Sequence, residues 1–180
     1  MVEFSPQFMY NNQDTFGVKD MKESKTNVMR LLEQKKIPYT AHSYPHGDGP
    51  VDGVTVAELI GRDAACVFKT LVTVGASKAH YVFVIPVAAE LDLKKAAKAA
   101  GEKSIAMLPL RELLPLTGYI RGGCSPLGMK KAFRTFFDAS ALEQETVLVS
   151  AGKIGAQVEL SPEALIAAVR GETAELICEE

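Results

Sequence analysis

The sequence holds only three cysteines, Cys66, Cys124 and Cys178, far apart and with no CxxC pair among them. An odd, scattered set gives neither a disulfide framework nor the ligand spacing of structural zinc, so reduced thiols are expected. Large charge of one sign is also missing: the formal net charge is -2. The overall charge gives no support to a protein that coats nucleic acid through bulk electrostatics, and any RNA contact has to be local. No apolar run approaches the roughly 20 residues of a membrane helix, and the N-terminal stretch has no basic region followed by an apolar one. A cytoplasmic protein without a membrane partner is expected. Walker-type loops, a GxGxxG opening a helix, GxSxG, internal repeats and low-complexity tracts are absent too.

The 180 residues are 47% hydrophobic and 23% charged, a globular balance at a length that suits one domain. Residues 1–23 are polar and aperiodic and read as an N-terminal arm, leaving 24–180 as the domain. Ser24 can cap a helix running to Lys36, with Pro38 ending it. YTAHSY alternates as a short strand, and PHGDGPVDG, dense in Gly, Pro and Asp, is a loop. A short helix over 55–60 stops at Gly61. VFKTLVTV and HYVFVIPV are β-rich runs joined by GASKA into a hairpin.

Asp92 caps LKKAAKAA, which Gly101 closes. SIAML is a strand, PLRELLPL a helix limited by Pro115, TVLVSAG and QVEL further strands, and Ser161-Pro162-Glu163 opens a last helix ending at Gly171. Strands and helices are interspersed without regular βα alternation, so the class expected is α+β.

Few residues stand out chemically. Lys69 interrupts the apolar run VFKTLV. Lysine there is either a solvent-side residue or a partly desolvated cation fixed on a strand, able to stabilise negative charge on an oxygen. In GYIRGGCSPLGMKK, Gly122 and Gly123 let the backbone approach a ligand, and Pro126 stiffens the next turn, although such a loop can equally serve only to turn the chain. Cys124 has no histidine near it in sequence, and a free cysteine is usually a small buried hydrophobe, so it is not expected to be a nucleophile. His42 and His46 are four apart, but Tyr44 and Pro45 between them indicate strand and loop rather than a metal-binding helix, so no metal is expected.

The order VFKTLV, PVAAELDLKKAAKAAG, LTGYIRGGCSPLGMKK and VSAGKIGAQVEL resembles the YbaK/EbsC family of aminoacyl-tRNA deacylases, free-standing relatives of the editing domain of bacterial prolyl-tRNA synthetases. The likeness runs from about Lys25 to Ile177. It implies a curved, mixed, partly closed β-sheet surrounded by helices. It also implies trans-editing clearance of mischarged Cys-tRNA(Pro) without a cofactor, in transient complex with prolyl-tRNA synthetase, with the aminoacyl-tRNA acceptor end as ligand and no DNA partner. The family's essential lysine falls on Lys69, with Thr70 beside it, and its glycine loop on Gly122 and Gly123, followed by Ser125 and Pro126.

Tyr44 matches a family tyrosine near the pocket mouth, and Ser150 the serine of VSGGK-like segments. Asp52 and Gln157 stand where some members carry an aromatic residue and an aspartate. In the family the substrate's own thiol is thought to attack the ester, so no enzyme nucleophile is required. Deacylation of Ala-tRNA(Pro), or a non-catalytic module binding the acceptor end or the synthetase, would fit the same residues.

Overall fold

The computed structural model describes residues 25–180. The expected arm over 1–23 and the Ser24 cap lie outside the described residues. The first helix, α1 (Asn27–Gln34), is capped by Thr26, whose side chain accepts from Met29 N–H. It ends two residues before the expected Lys36, which turns with φ 57. There follow β1 (Thr40–Ser43), α2 (Gly53–Leu59), β2 (Phe68–Gly75), β3 (His80–Pro86), α3 (Leu93–Ala100), β4 (Ile105–Met107) and α4 (Leu110–Thr117). The chain continues through β5 (Arg134–Asp138), β6 (Val147–Ser150), β7 (Ala156–Leu160), α5 (Pro162–Ala168) and β8 (Glu172–Ala174), with single 3-10 turns at Ala64–Cys66 and Ala139–Glu143.

The α+β class is as expected. Its strands form two sheets that are not closed into one: three strands in the order β1-β7-β6 and five in the order β4-β2-β3-β5-β8. The smaller sheet is antiparallel, whereas the larger is mixed, since β5 runs parallel to both β3 and β8. A single parallel bridge, Val67 to Leu148, joins the two.

Between the sheets lies the main core. Val72, Val84 and Phe137 of the larger sheet meet Val149 and Val158 of the smaller, closed by Leu32 of α1 and Leu165 of α5. The other face of the large sheet packs Phe83, Ile85 and Phe136 under the alanines of α3. A small third cluster, Ala57, Val67, Val87 and Leu148, sits where α2 covers the junction of the sheets. Burying each such side chain stabilises by about 1.5–3 kcal/mol.

Several elements depart from the sequence reading. Pro115 does not end α4, which carries it internally and runs to Thr117 before Gly118 turns with φ 86. Gly118 N–H still reaches Leu114 O at 2.9 Å, so the last turn closes despite the bond that proline cannot donate. The final helix stops at Ala168, three residues before Gly171, because Arg170 enters the left-handed region at φ 52. The strands β5 and β8 have no counterpart in the sequence reading. No helix among the described residues is long and apolar enough to cross a membrane.

Candidate active site

Strand register sets the floor of the site. Gln157 of β7 is paired with His42 of β1 on one side and with Ser150 of β6 on the other. Because side chains alternate along strands, these three share one face, the face on which Leu148 meets Val67 beneath α2. Two residues further along the parallel pair from that bridge stand Ser150 and Lys69. The result is a transverse row, His42, Gln157, Ser150 and Lys69, crossing the small sheet and passing onto the first strand of the large one.

Three loops meet at the turn between β6 and β7, which joins Ser150 to Gln157, and glycines let them touch. At Gly122 the backbone has φ +86, and a β-carbon there would stand 2.7 Å from Pro50 Cβ. One at Gly123 would meet the main chain of Lys153 and Ile154 at 3.0–3.1 Å. Gly155, at φ +94, leaves no room for a β-carbon beside the His46 ring. The segment from Pro45 to Asp52 thus lies across both the glycine loop and the turn between β6 and β7. Tyr44, at its root, is 5% exposed and donates its N–H to Gly155 O at 3.0 Å.

The loop is held by its own side chains. Ser125 is fully buried and its hydroxyl accepts from Leu127 N–H at 3.3 Å. Tyr119 donates to Leu127 O at 2.5 Å. Gly123 N–H is taken up by Ile120 O at 3.0 Å, whereas Gly122 and Cys124 are among several loop amides that have no acceptor among the described residues. Burial pushes the Cys124 thiol up to about 12. A thiol so rarely ionised is a packing group, as expected from sequence.

Lys69 is half-buried, and that burial lowers its pKa against the opposing charges of Glu90 and Asp52. Among the described residues it forms no ion pair within 4 Å. Asp52 caps α2, accepting from Val54 and Thr55 N–H and from the Thr55 hydroxyl, and these bonds lower its pKa. Thr70 Oγ1 and Gln157 Oε1 are buried with no hydrogen-bond partner among the described residues. An unpaired buried oxygen costs about 1–3 kcal/mol, and such groups call for a specific explanation. Here both lie at positions singled out from the sequence.

Two places beyond Gln157 on the same strand is a carboxylate that the sequence reading missed. Glu159, 8% exposed, accepts from Thr146 at 2.6 Å and Arg62 at 2.8 Å, and lies 2.8 Å from His42 Nε2. Burial alone would raise its pKa, but the bonds from Thr146 and His42 and the Arg62 charge outweigh it, leaving the carboxyl below its ordinary value. The i, i+2 spacing of Gln157 and Glu159 within an apolar strand was the available signal. No group of three or more His, Cys, Asp or Glu side chains able to hold a metal occurs among the described residues. His46 instead bonds Gly47 O at 2.7 Å.

Comparison with known proteins decides the family. Residues 51–168 match the aminoacyl-tRNA editing domain. A protein of Enterococcus faecalis named "Putative Cys-tRNA(Pro)/Cys-tRNA(Cys) deacylase EbsC" is 47% identical over 158 residues, spanning 88% of this chain and 96% of that one. The chain belongs to the aminoacyl-tRNA editing family.

Two solved structures share the fold of this editing protein at 23% identity. One, described as a "putative trans-editing enzyme for prolyl tRNA synthetase", has a TM-score of 0.74 and covers 87% of this chain and 100% of its own. The other, a scaffold from computational epitope grafting, has a TM-score of 0.76 with 85% and 96% covered. Membership makes the chain an aminoacyl-tRNA deacylase and bears out the YbaK/EbsC resemblance. The structure gathers Lys69, Ser150 and Gln157 into one row and sets Gly122, Gly123 and Tyr44 at the turn between β6 and β7. It turns the Ser125 side chain inward, to the loop.

Proposed function

We propose that this editing protein clears Cys-tRNA(Pro) in the cytoplasm, acting in trans beside prolyl-tRNA synthetase. The observation that carries the reading is the row of Lys69, Ser150 and Gln157, with an unpartnered oxygen at Gln157 and the glycine loop packed on the turn that follows Ser150. Gln157 Oε1 accepts a hydrogen bond from the substrate's α-ammonium group, the role an aspartate would otherwise fill. Lys69 stabilises negative charge on the ester oxygens, and unpaired N–H groups of the glycine loop, those of Gly122 and Cys124 among them, serve as oxyanion donors.

The substrate's thiolate sulfur attacks its own carbonyl carbon, the bond from that carbon to the ribose oxygen breaks, and the proton released by the thiol ends on the ribose hydroxyl. The products are a cyclic thiolactone, which water opens to cysteine, and intact tRNA. The enzyme supplies orientation and a fixed cation, and no cysteine of its own takes part. Selection for cysteine is then chemical, because alanine lacks the attacking atom.

The test is deacylation of Cys-tRNA(Pro) and Ala-tRNA(Pro) by wild type and Lys69→Ala at matched concentrations. Loss of the cysteinyl ester alone, dependent on Lys69, is expected. Equal loss of both esters would overturn the thiol step, and loss of neither would leave a binding module.

A further inference from the structure

Beside the active site, on the far side of the turn between β6 and β7, lies an open cavity of about 400 Å³. Its charged lining is of one sign: Lys25 and Arg30 from the start of α1, and Lys153 from the turn, with no carboxylate lining it among the described residues. All three are exposed, in a chain whose formal net charge is -2. Another cavity, of about 470 Å³ beneath α4, sets Glu112 beside Arg111 and has no such bias. Lys25 also pairs with Glu33 at 2.8 Å, but an exposed pair is worth little and yields readily to a stronger anion.

Position gives the cations a purpose. Ala151, Gly152 and Lys153 line the cavity and follow directly on Ser150 of the catalytic row, while Gly118 and Tyr119 line it and lead into the glycine loop. The main chain of Lys153 is what Gly123 packs against. Active site and cavity are therefore two sides of the same pair of loops. An aminoacylated nucleotide seated on the first has to send its sugar-phosphate strand outward, and the second offers an adjoining concentration of positive charge.

We infer that this cavity seats the phosphates of an RNA strand, those next to the aminoacylated end, and so supplies the protein's local hold on tRNA. The inference rests on the editing reading for the identity of the RNA. It assigns the affinity for nucleic acid to a few side chains on one face, in keeping with a chain that has no overall basic charge.

The experiment is direct binding of uncharged tRNA(Pro) as a function of salt, with wild type, Arg30→Glu/Lys153→Glu and the charge-keeping Arg30→Lys/Lys153→Arg. Charge reversal is expected to weaken binding by about tenfold or more and to reduce the slope of log affinity against log salt by about two, while the charge-keeping variant retains both. Melting transitions should match in all three. Unchanged affinity and slope on charge reversal would overturn the inference. So would undetectable binding by wild type, or a loss confined to prolyl-tRNA synthetase.

Hydrolysis of a cysteinyl-adenosine ester, which has no strand beyond the terminal nucleoside, should be equal in wild type and the reversed variant. If wild type cleaves neither this ester nor Cys-tRNA(Pro), the editing reading falls, and the binding titration still decides the surface.

Discussion

At Lys69, burial depresses the pKa while Glu90 and Asp52 act the other way. A lysine whose folded pKa lies below its unfolded value opposes folding while it is charged, and the opposition fades as pH rises through the folded pKa. Lys69→Met should therefore be no less stable than wild type near pH 7, with any advantage shrinking in alkali, while deacylation falls by about 10²-fold or more, the scale of losing one charge-stabilising donor. Thermal unfolding at both pH values beside single-turnover rates measures this. If Lys69 acts as a cation, the alkaline limb of kcat/KM in wild type should fall below the ordinary lysine value of about 10.4.

Gln157 separates binding from stability in the same way. Replacing its unpartnered amide by leucine removes a buried oxygen that has no partner among the described residues. Stability should hold within about 1 kcal/mol, yet KM for Cys-tRNA(Pro) should rise by about tenfold, the scale of one hydrogen bond to a charged group. A Gln157→Leu enzyme with wild-type KM would remove the ammonium contact from the mechanism. Gly122→Ala meets two obstacles, the left-handed backbone and Pro50 at 2.7 Å. The first alone costs about 1–2 kcal/mol, so the loop should shift and activity drop more than melting temperature does.

At the scale of elements, β7 carries two polar residues on one face: Gln157 lies in the proposed catalytic row and Glu159 fixes the strand's neighbours. Glu159 reaches His42 on β1, Thr146 beside β6 and Arg62 beyond α2. Its depressed pKa means the stability it contributes is present above the unfolded carboxyl value and is lost as pH falls through the folded one. Glu159→Gln should flatten the acid side of the stability profile and cost about 2 kcal/mol at neutral pH, less whatever solvent screening removes at the exposed Arg62. Urea titrations at neutral and acid pH would show both effects, and parallel profiles for variant and wild type would exclude them.

Elements whose signals are local were legible in the sequence. Asp92 caps α3 through Lys94 and Lys95 N–H, and Gly101 closes it at φ 72, because cap and stop act within one turn. The hairpin of β2 and β3 was equally plain, its pairing needing only its own turn. By contrast, β5 pairs in parallel with strands far away in sequence, and Phe136 and Phe137 are buried on opposite faces, so no alternation marked it. Lys69, Ser150 and Gln157 could be picked out one by one from resemblance. Their meeting in a row depends on register and on the Val67 to Leu148 bridge, and neither is written in any single segment.

For the whole molecule, that bridge makes the proposed catalysis depend on how two separate sheets are held together. Leu148 is fully buried beneath α2, at the junction, while Leu176 is fully buried against the outer face of the large sheet. Truncating either to alanine should cost about 2–5 kcal/mol. The consequences for activity should differ. A cavity at Leu148 lets Ser150 and Lys69 move relative to each other, and a misplacement of about 1 Å costs on the order of 100-fold in rate. A cavity at Leu176 loosens the α3 layer and leaves the row intact. Assayed at a temperature where both variants are fully folded, Leu148→Ala should lose most of its Cys-tRNA(Pro) deacylation and Leu176→Ala should keep it. Equal losses would mean that activity follows global stability rather than the alignment of the sheets.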